Sequence, residues 1–146
     1  MLYREVPKNG DKLSILGYGC MRFPVRMNAI NEKLAEKQML HAMDQGVNYF
    51  DTAYPYHRGK SEPFLGKVFS RNSCRDKVKI ATKLPSWLVE RREDMDRYLH
   101  RQLERLGTAN LVSRLNTLGL ASSDLPDIID SIPMKVFEAT PEKAIG

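Results

Sequence analysis

Three times between residues 16 and 106 a short apolar run is followed by a stretch with apolar residues at helical spacing, and this alternation restricts the fold more than any other feature. The first strand is expected in Leu16-Gly-Tyr-Gly-Cys-Met-Arg-Phe-Pro24, a glycine-punctuated run opening into a loop. Residues 32–45 place Ala35, Met39, Ala42 and Met43 on one helix face, with Gly46 as the stop. A second strand is predicted over 47–50 and a helix over 61–69, with Ser61 as its N-cap and Pro63 in its first turn. A third strand is predicted over 78–83. The last helix, over 94–106, sets Met95, Leu99, Leu103 and Leu106 on one face with Gly107 behind. Ahead of these units, 3–5 and 13–16 flank Lys8-Asn-Gly-Asp11, a hairpin signal. The order β-α-β-α-β-α predicts an α/β fold with parallel strands joined by helical crossovers, and such folds handle ligands at the carboxyl ends of their strands.

Composition adds exclusions. With 42% apolar and 28% charged residues, the chain has no apolar stretch near the roughly 20 residues of a membrane span. The start, Met-Leu-Tyr-Arg-Glu-Val-Pro-Lys, lacks the apolar core of a signal peptide, so the expected compartment is the cytoplasm. The net charge of +5 is spread among acidic residues, as in Glu90-Arg-Arg-Glu-Asp-Met-Asp-Arg97, and so does not predict a nucleic-acid partner. Cys20 and Cys74 stand far apart without a CxxC, which predicts free thiols and no metal site.

The chemistry-bearing residues fall at the expected strand ends. In Asn48-Tyr-Phe-Asp-Thr-Ala-Tyr-Pro-Tyr-His-Arg-Gly-Lys-Ser-Glu62 a buried strand breaks into a polar loop: Asp51 follows the strand directly, and Tyr54 and Tyr56 lie just beyond it. Lys83 closes the third strand. Reducing a carbonyl by hydride transfer requires a proton for the developing alkoxide, and a tyrosine can supply it if a cation lowers its pKa, near 10 when free. Lys83 is the candidate cation. Asp51 would pair with it and keep it charged, because an unpaired lysine in a partly buried cleft tends to lose its proton.

These residues resemble the aldo-keto reductases, NAD(P)H-dependent carbonyl reductases built on a (β/α)8 TIM barrel. The family's Asp-x-Ala-x-x-Tyr spacing falls on Asp51, Ala53 and Tyr56, and its lysine on Lys83 in Ile80-Ala-Thr-Lys-Leu84. The resemblance implies Asp51, Tyr56 and Lys83 as catalytic residues, and leaves Tyr54 as the phenol that is not. It also implies that Gly19, Cys20, Met21 and Asp51 border the cofactor, NADPH, with Cys20 and Met21 acting by packing, and that the substrate is a small carbonyl compound. The Gly19-Cys-Met-Arg-Phe23 flavour and the Tyr3-Arg-Glu5 opening are similar to a bacterial branch that often carries a C-terminal iron–sulfur segment, although this sequence has no such cysteine cluster.

The resemblance covers residues 1–108 and finds no counterpart in 109–146, expected to be an irregular tail. A barrel of this kind takes about 250 residues, so a hairpin plus about three β-α units of an incomplete barrel are expected. The family's fourth catalytic residue, a histidine, would follow the last helix, whereas His41, His57 and His100 all precede Gly107. His57 is expected in a loop and His100 facing solvent. Most of the family's dinucleotide site also lies later in the barrel, and an open sheet edge favours self-association. Two functions follow as expectations: a carbonyl reductase lacking full activity in this form, or a non-catalytic remnant or interaction fragment.

Overall fold

The computed structural model describes residues 1–7 and 9–107, so segment 109–146 lies outside the described residues. The expected hairpin pairs β1 (Tyr3–Glu5) antiparallel with β2 (Lys12–Ser14), Arg4 opposite Leu13. It is fastened to the chain by one side chain above all. Asn48 accepts the Ser14 backbone N–H at 2.8 Å and donates to the Lys12 carbonyl at 2.8 Å. Lys79 adds an ion pair to Asp11 at 2.6 Å. Asn48 precedes the second sheet strand and Lys79 begins the third, so the hairpin closes the amino-terminal end of the sheet and leaves the carboxyl end free.

That sheet has three parallel strands, β3 (Tyr18–Gly19), β6 (Tyr49–Asp51) and β7 (Lys79–Ala81), with β6 in the middle. Gly19 is in register with Asp51, and Asp51 with Ala81. All three strands are shorter than the sequence predicts. The first gives way at once to a 3-10 turn, Cys20–Arg22, and a small hairpin follows, β4 (Val25–Arg26) with β5 (Ala29–Ile30). No reading of the sequence foresaw this hairpin, whose turn residues Met27 and Asn28 both take positive φ rather than offering the usual glycine.

Helix α1 (Glu32–Asp44) starts where the Asn31 side chain accepts the Leu34 N–H at 3.3 Å, buries Ala35 and Met39, and stops at Gly46, whose φ of +90° suits a residue without a Cβ. After a single irregular turn, α2 (Tyr56–Gly59), comes α3 (Ser61–Arg71), which supplies Phe64, Leu65, Val68 and Phe69 to the core. Phe50 of β6 is fully buried and meets Phe69 edge-on at 5.1 Å between ring centroids. Because side chains alternate across a strand, Tyr49 and Asp51 then face away from the helices, as do Lys79 and Ala81 in β7.

Helix α4 (Arg92–Arg105) begins where Asp94 accepts the backbone N–H groups of Glu90 and Arg91 at 3.0 and 3.2 Å. The bond from Glu90 leads in holding the Asp94 carboxyl below its usual range, against the opposing effect of burial. The expected apolar face of α4 is only partly realised: Leu106 is buried, Met95, Leu99 and Leu103 are half-buried, and the polar Gln102 is the fully buried residue among them. The helix ends tight against α3. A Cβ on Gly66 would lie 2.6 Å from the Arg105 carbonyl oxygen, so only glycine permits this approach.

Candidate active site

The free carboxyl end of the sheet gathers the polar residues. Asp51 is in register with Ala81, and Lys83 lies two residues further along the same chain, so the strand period returns Lys83 to the side of the sheet that Asp51 occupies. Lys83 Nζ donates to Asp51 Oδ1 at 2.6 Å and to the Thr52 carbonyl at 2.9 Å. Partial burial pulls the Lys83 pKa down, but the Asp51 hydrogen bond and charge, with smaller contributions from Tyr56, leave it above its usual value of 10.5. Lys83 is therefore an ammonium at neutral pH. It sits 5.2 Å from the centroid of the Tyr56 ring.

Tyr56 owes its placement to an unusual turn. His57, Arg58 and Gly59 take three consecutive left-handed conformations, φ +52°, +56° and +78°, two of them on residues that rarely adopt them. The turn is held by His57, whose Nε2 accepts the Phe23 backbone N–H at 3.1 Å and whose ring lies 5.5 Å from that of Phe23. This latch joins the loop after β3 to the loop carrying Tyr56. A histidine six residues after the strand end was a visible signal, but its partner lies 34 residues away in sequence. His100 is exposed, with Nδ1 2.7 Å from the Asp96 carbonyl, and His41 is exposed on the last turn of α1.

Tyr54 is differently engaged. Its ring lies 4.2 Å from the Arg105 guanidinium carbon and meets Tyr98 edge-on at 5.6 Å. Of the two phenols it is Tyr56 that the structure sets against Lys83.

The residues expected beside a cofactor divide. Gly19 borders open space next to Asp51, and Met21 is 58% exposed. Cys20 is fully buried, its thiol pushed up to about 12 chiefly by burial, with the Asp51 charge adding and the Lys83 charge opposing. Toward a bound group it can offer main chain only. Ser61 is not the N-cap the sequence suggested, because Lys60 holds that position and the helix has already begun. The buried Ser61 hydroxyl instead lies 2.9 Å from Thr52 Oγ1 and donates to the Cys20 carbonyl at 3.3 Å, tying β6 to the loop after β3.

Sequence reasoning missed one cluster outright. Glu62 is fully buried, accepts from Thr82 Oγ1 and Gln102 Nε2, both at 2.7 Å, and pairs with Arg105 at 3.1 Å. A charged residue on the apolar row Glu62, Leu65, Phe69 was the available signal. Among the described residues no group of three or more His, Cys, Asp or Glu could hold a metal ion, and no helix is long and apolar enough to cross a membrane. A cleft of about 650 Å³ between Ile30, His57, Lys60 and Phe64 has none of Asp51, Tyr56 or Lys83 in its walls.

Residues 15–113 match the model of the aldo/keto reductase family. An aldo-keto reductase of Gibberella moniliformis is 33% identical over 98 residues, covering 62% of this chain and 30% of the relative. The thermostable aldo-keto reductase Tm1743, solved with the inhibitor epalrestat, is 28% identical at a TM-score of 0.59, over 73% of this chain and 39% of that one. The holo form of aldo-keto reductase AKR11C1 from Bacillus halodurans is 27% identical at a TM-score of 0.58, over 73% and 37%. The structural relatives are TIM barrels, and this chain is similar to part of one. It spans about a third of the length of the relatives it matches.

Proposed function

Because the chain belongs to the aldo/keto reductase family, we propose that it serves the NADPH-dependent reduction of an aldehyde or ketone, with Tyr56, Lys83 and Asp51 as its proton-transfer residues. One observation carries the reading: Lys83 Nζ is held at 2.6 Å by Asp51 while lying 5.2 Å from the centre of the Tyr56 ring. The Tyr56 hydroxyl donates its proton to the substrate oxygen as negative charge develops there, and the ammonium of Lys83 stabilises the phenolate left behind. Asp51 keeps that ammonium charged, and the Thr52 carbonyl helps to aim it. The family generally uses NAD(P)H, which when bound supplies the hydride that adds to the carbonyl carbon. The open surface beside Gly19, Met21 and Asp51 fits the reacting end of such a cofactor, and the main chain at Cys20 borders it. The family's histidine has no counterpart in the sequence. The cytoplasm is the compartment proposed for this reaction.

That the described cleft of about 650 Å³ has none of Asp51, Tyr56 or Lys83 in its walls favours a second reading, a non-catalytic chain that keeps the strand-end residues but takes up no dinucleotide. Titrating the 146-residue chain with NADPH and with NADH, followed by NMR, separates the two. The first reading expects saturable shifts at Gly19, Asp51, Tyr56 and Lys83, larger with NADPH. Resonances unmoved by either nucleotide would leave the second.

A further inference from the structure

The proton-transfer account leaves a fully buried carboxylate without a task. Glu62 stands on the apolar face of α3 with Leu65 and Phe69, both fully buried. Burying a carboxylate is costly unless it is paired and hydrogen-bonded, and an apolar residue of similar size often serves stability as well. Three donors meet the charge: Thr82 Oγ1 and Gln102 Nε2 at 2.7 Å on Oε1, and Arg105 Nη1 at 3.1 Å on Oε2.

What the charge adds is direction. Gln102 Nε2 is also 2.9 Å from Thr82 Oγ1 and 3.0 Å from the Lys83 carbonyl oxygen. Since Glu62 and the Lys83 carbonyl can only accept, the amide nitrogen of Gln102 must face them, and the carboxylate thereby fixes which way the amide points. Lys83 is in consequence held at both ends, by Gln102 at its carbonyl and by Asp51 and the Thr52 carbonyl at its ammonium. The same network reaches the other half of the site, because Arg105 lies over the ring of Tyr54, two residues before Tyr56.

Resting on the reductase reading, we propose that Glu62 and Gln102 form a buried positioning pair that sets where Lys83 stands relative to Asp51 and Tyr56. Neither residue touches the reacting atoms. Their effect passes through the main chain of Lys83, where a displacement of about 1 Å is enough to matter for transfer between fixed groups. Among the described residues the charged or titratable groups near the Lys83 ammonium are Asp51, Tyr56 and Cys20, and Glu62 faces the charge of Arg105 together with the neutral Thr82 hydroxyl and Gln102 amide.

The test is the proton titration of Lys83 itself, read from its ε-carbon by NMR in the full 146-residue chain. Gln102→Met keeps length and removes the donor, and should shift the Lys83 midpoint downward, in the same direction as Asp51→Asn, as the contact with Asp51 loosens. A folded Gln102→Met chain whose Lys83 titrates as in the parent would overturn the proposal. If that variant fails to fold, Thr82→Val decides: it removes one Glu62 donor beside Lys83, and an unchanged midpoint there would equally defeat the idea. The reductase reading fails by a different observation, NADPH leaving the Lys83 and Tyr56 resonances of the unsubstituted chain unmoved.

Discussion

Lys83 Nζ stands 2.6 Å from Asp51 Oδ1 and 2.9 Å from the carbonyl oxygen of Thr52, so two consecutive residues at one strand end grip the ammonium offered by the next strand. The register of β6 and β7 makes this contact, because Asp51 pairs with Ala81 and Lys83 lies two residues beyond it.

This pair predicts a pH dependence at the alkaline end. The folded chain binds the Lys83 proton more tightly than the unfolded chain does. The stabilisation is therefore complete below the ordinary lysine value of 10.5 and disappears as pH rises through the higher folded value. With Lys83 about half exposed, solvent screening limits the loss to about 1 kcal/mol or less. Urea midpoints measured across this alkaline range should fall in the parent and fall less in Asp51→Asn.

Cys20 should be inert in the folded chain. A thiol pushed up to about 12 carries roughly a thousandth of the thiolate of a free cysteine near neutral pH, and this one is fully buried as well. Iodoacetamide should label it only at the rate of unfolding, as followed by mass spectrometry. Rapid labelling without denaturant would mean the loop after β3 opens.

Gly66→Ala should cost about 1–3 kcal/mol, because its methyl would meet the main chain at Arg105 and Leu106, which cannot move aside as a flexible side chain can. A denaturation midpoint equal to the parent's would show that α4 can retreat without loss.

Much of this architecture could be read from the residues, and what escaped did so for a physical reason. The strand-helix order, the first hairpin and the meeting of Asp51 with Lys83 depend on local periodicity and on strand ends, which neighbouring residues specify. The Glu62 network and the His57 latch depend on partners 20 to 43 residues distant, and no local pattern announces them. Ser61 illustrates the difference: its type and place suit an N-cap, but the left-handed turn ahead of it moved the cap to Lys60 and turned the hydroxyl inward. Local pattern alone does not tell Tyr54 from Tyr56, and only the family spacing pointed to Tyr56; in the structure Tyr56 lies beside Lys83 and Tyr54 beside Arg105.

His57→Ala should release the Phe23 backbone N–H at a cost of about 1 kcal/mol. Hydrogen exchange at Phe23 should accelerate correspondingly, while exchange in α1 stays as in the parent. Equal acceleration in both would indicate general destabilisation rather than the loss of a latch.

Tyr56, and not Tyr54, is the proton donor proposed for carbonyl reduction, with Lys83 in support. The direct measurement is NADPH oxidation with a small aromatic aldehyde by the parent chain, Tyr56→Phe and Tyr54→Phe. Tyr56→Phe should lose about 10²–10⁴-fold in kcat, with Tyr54→Phe retaining most of the rate. A parent rate equal to the background, or a Tyr56→Phe chain as fast as the parent, would contradict it.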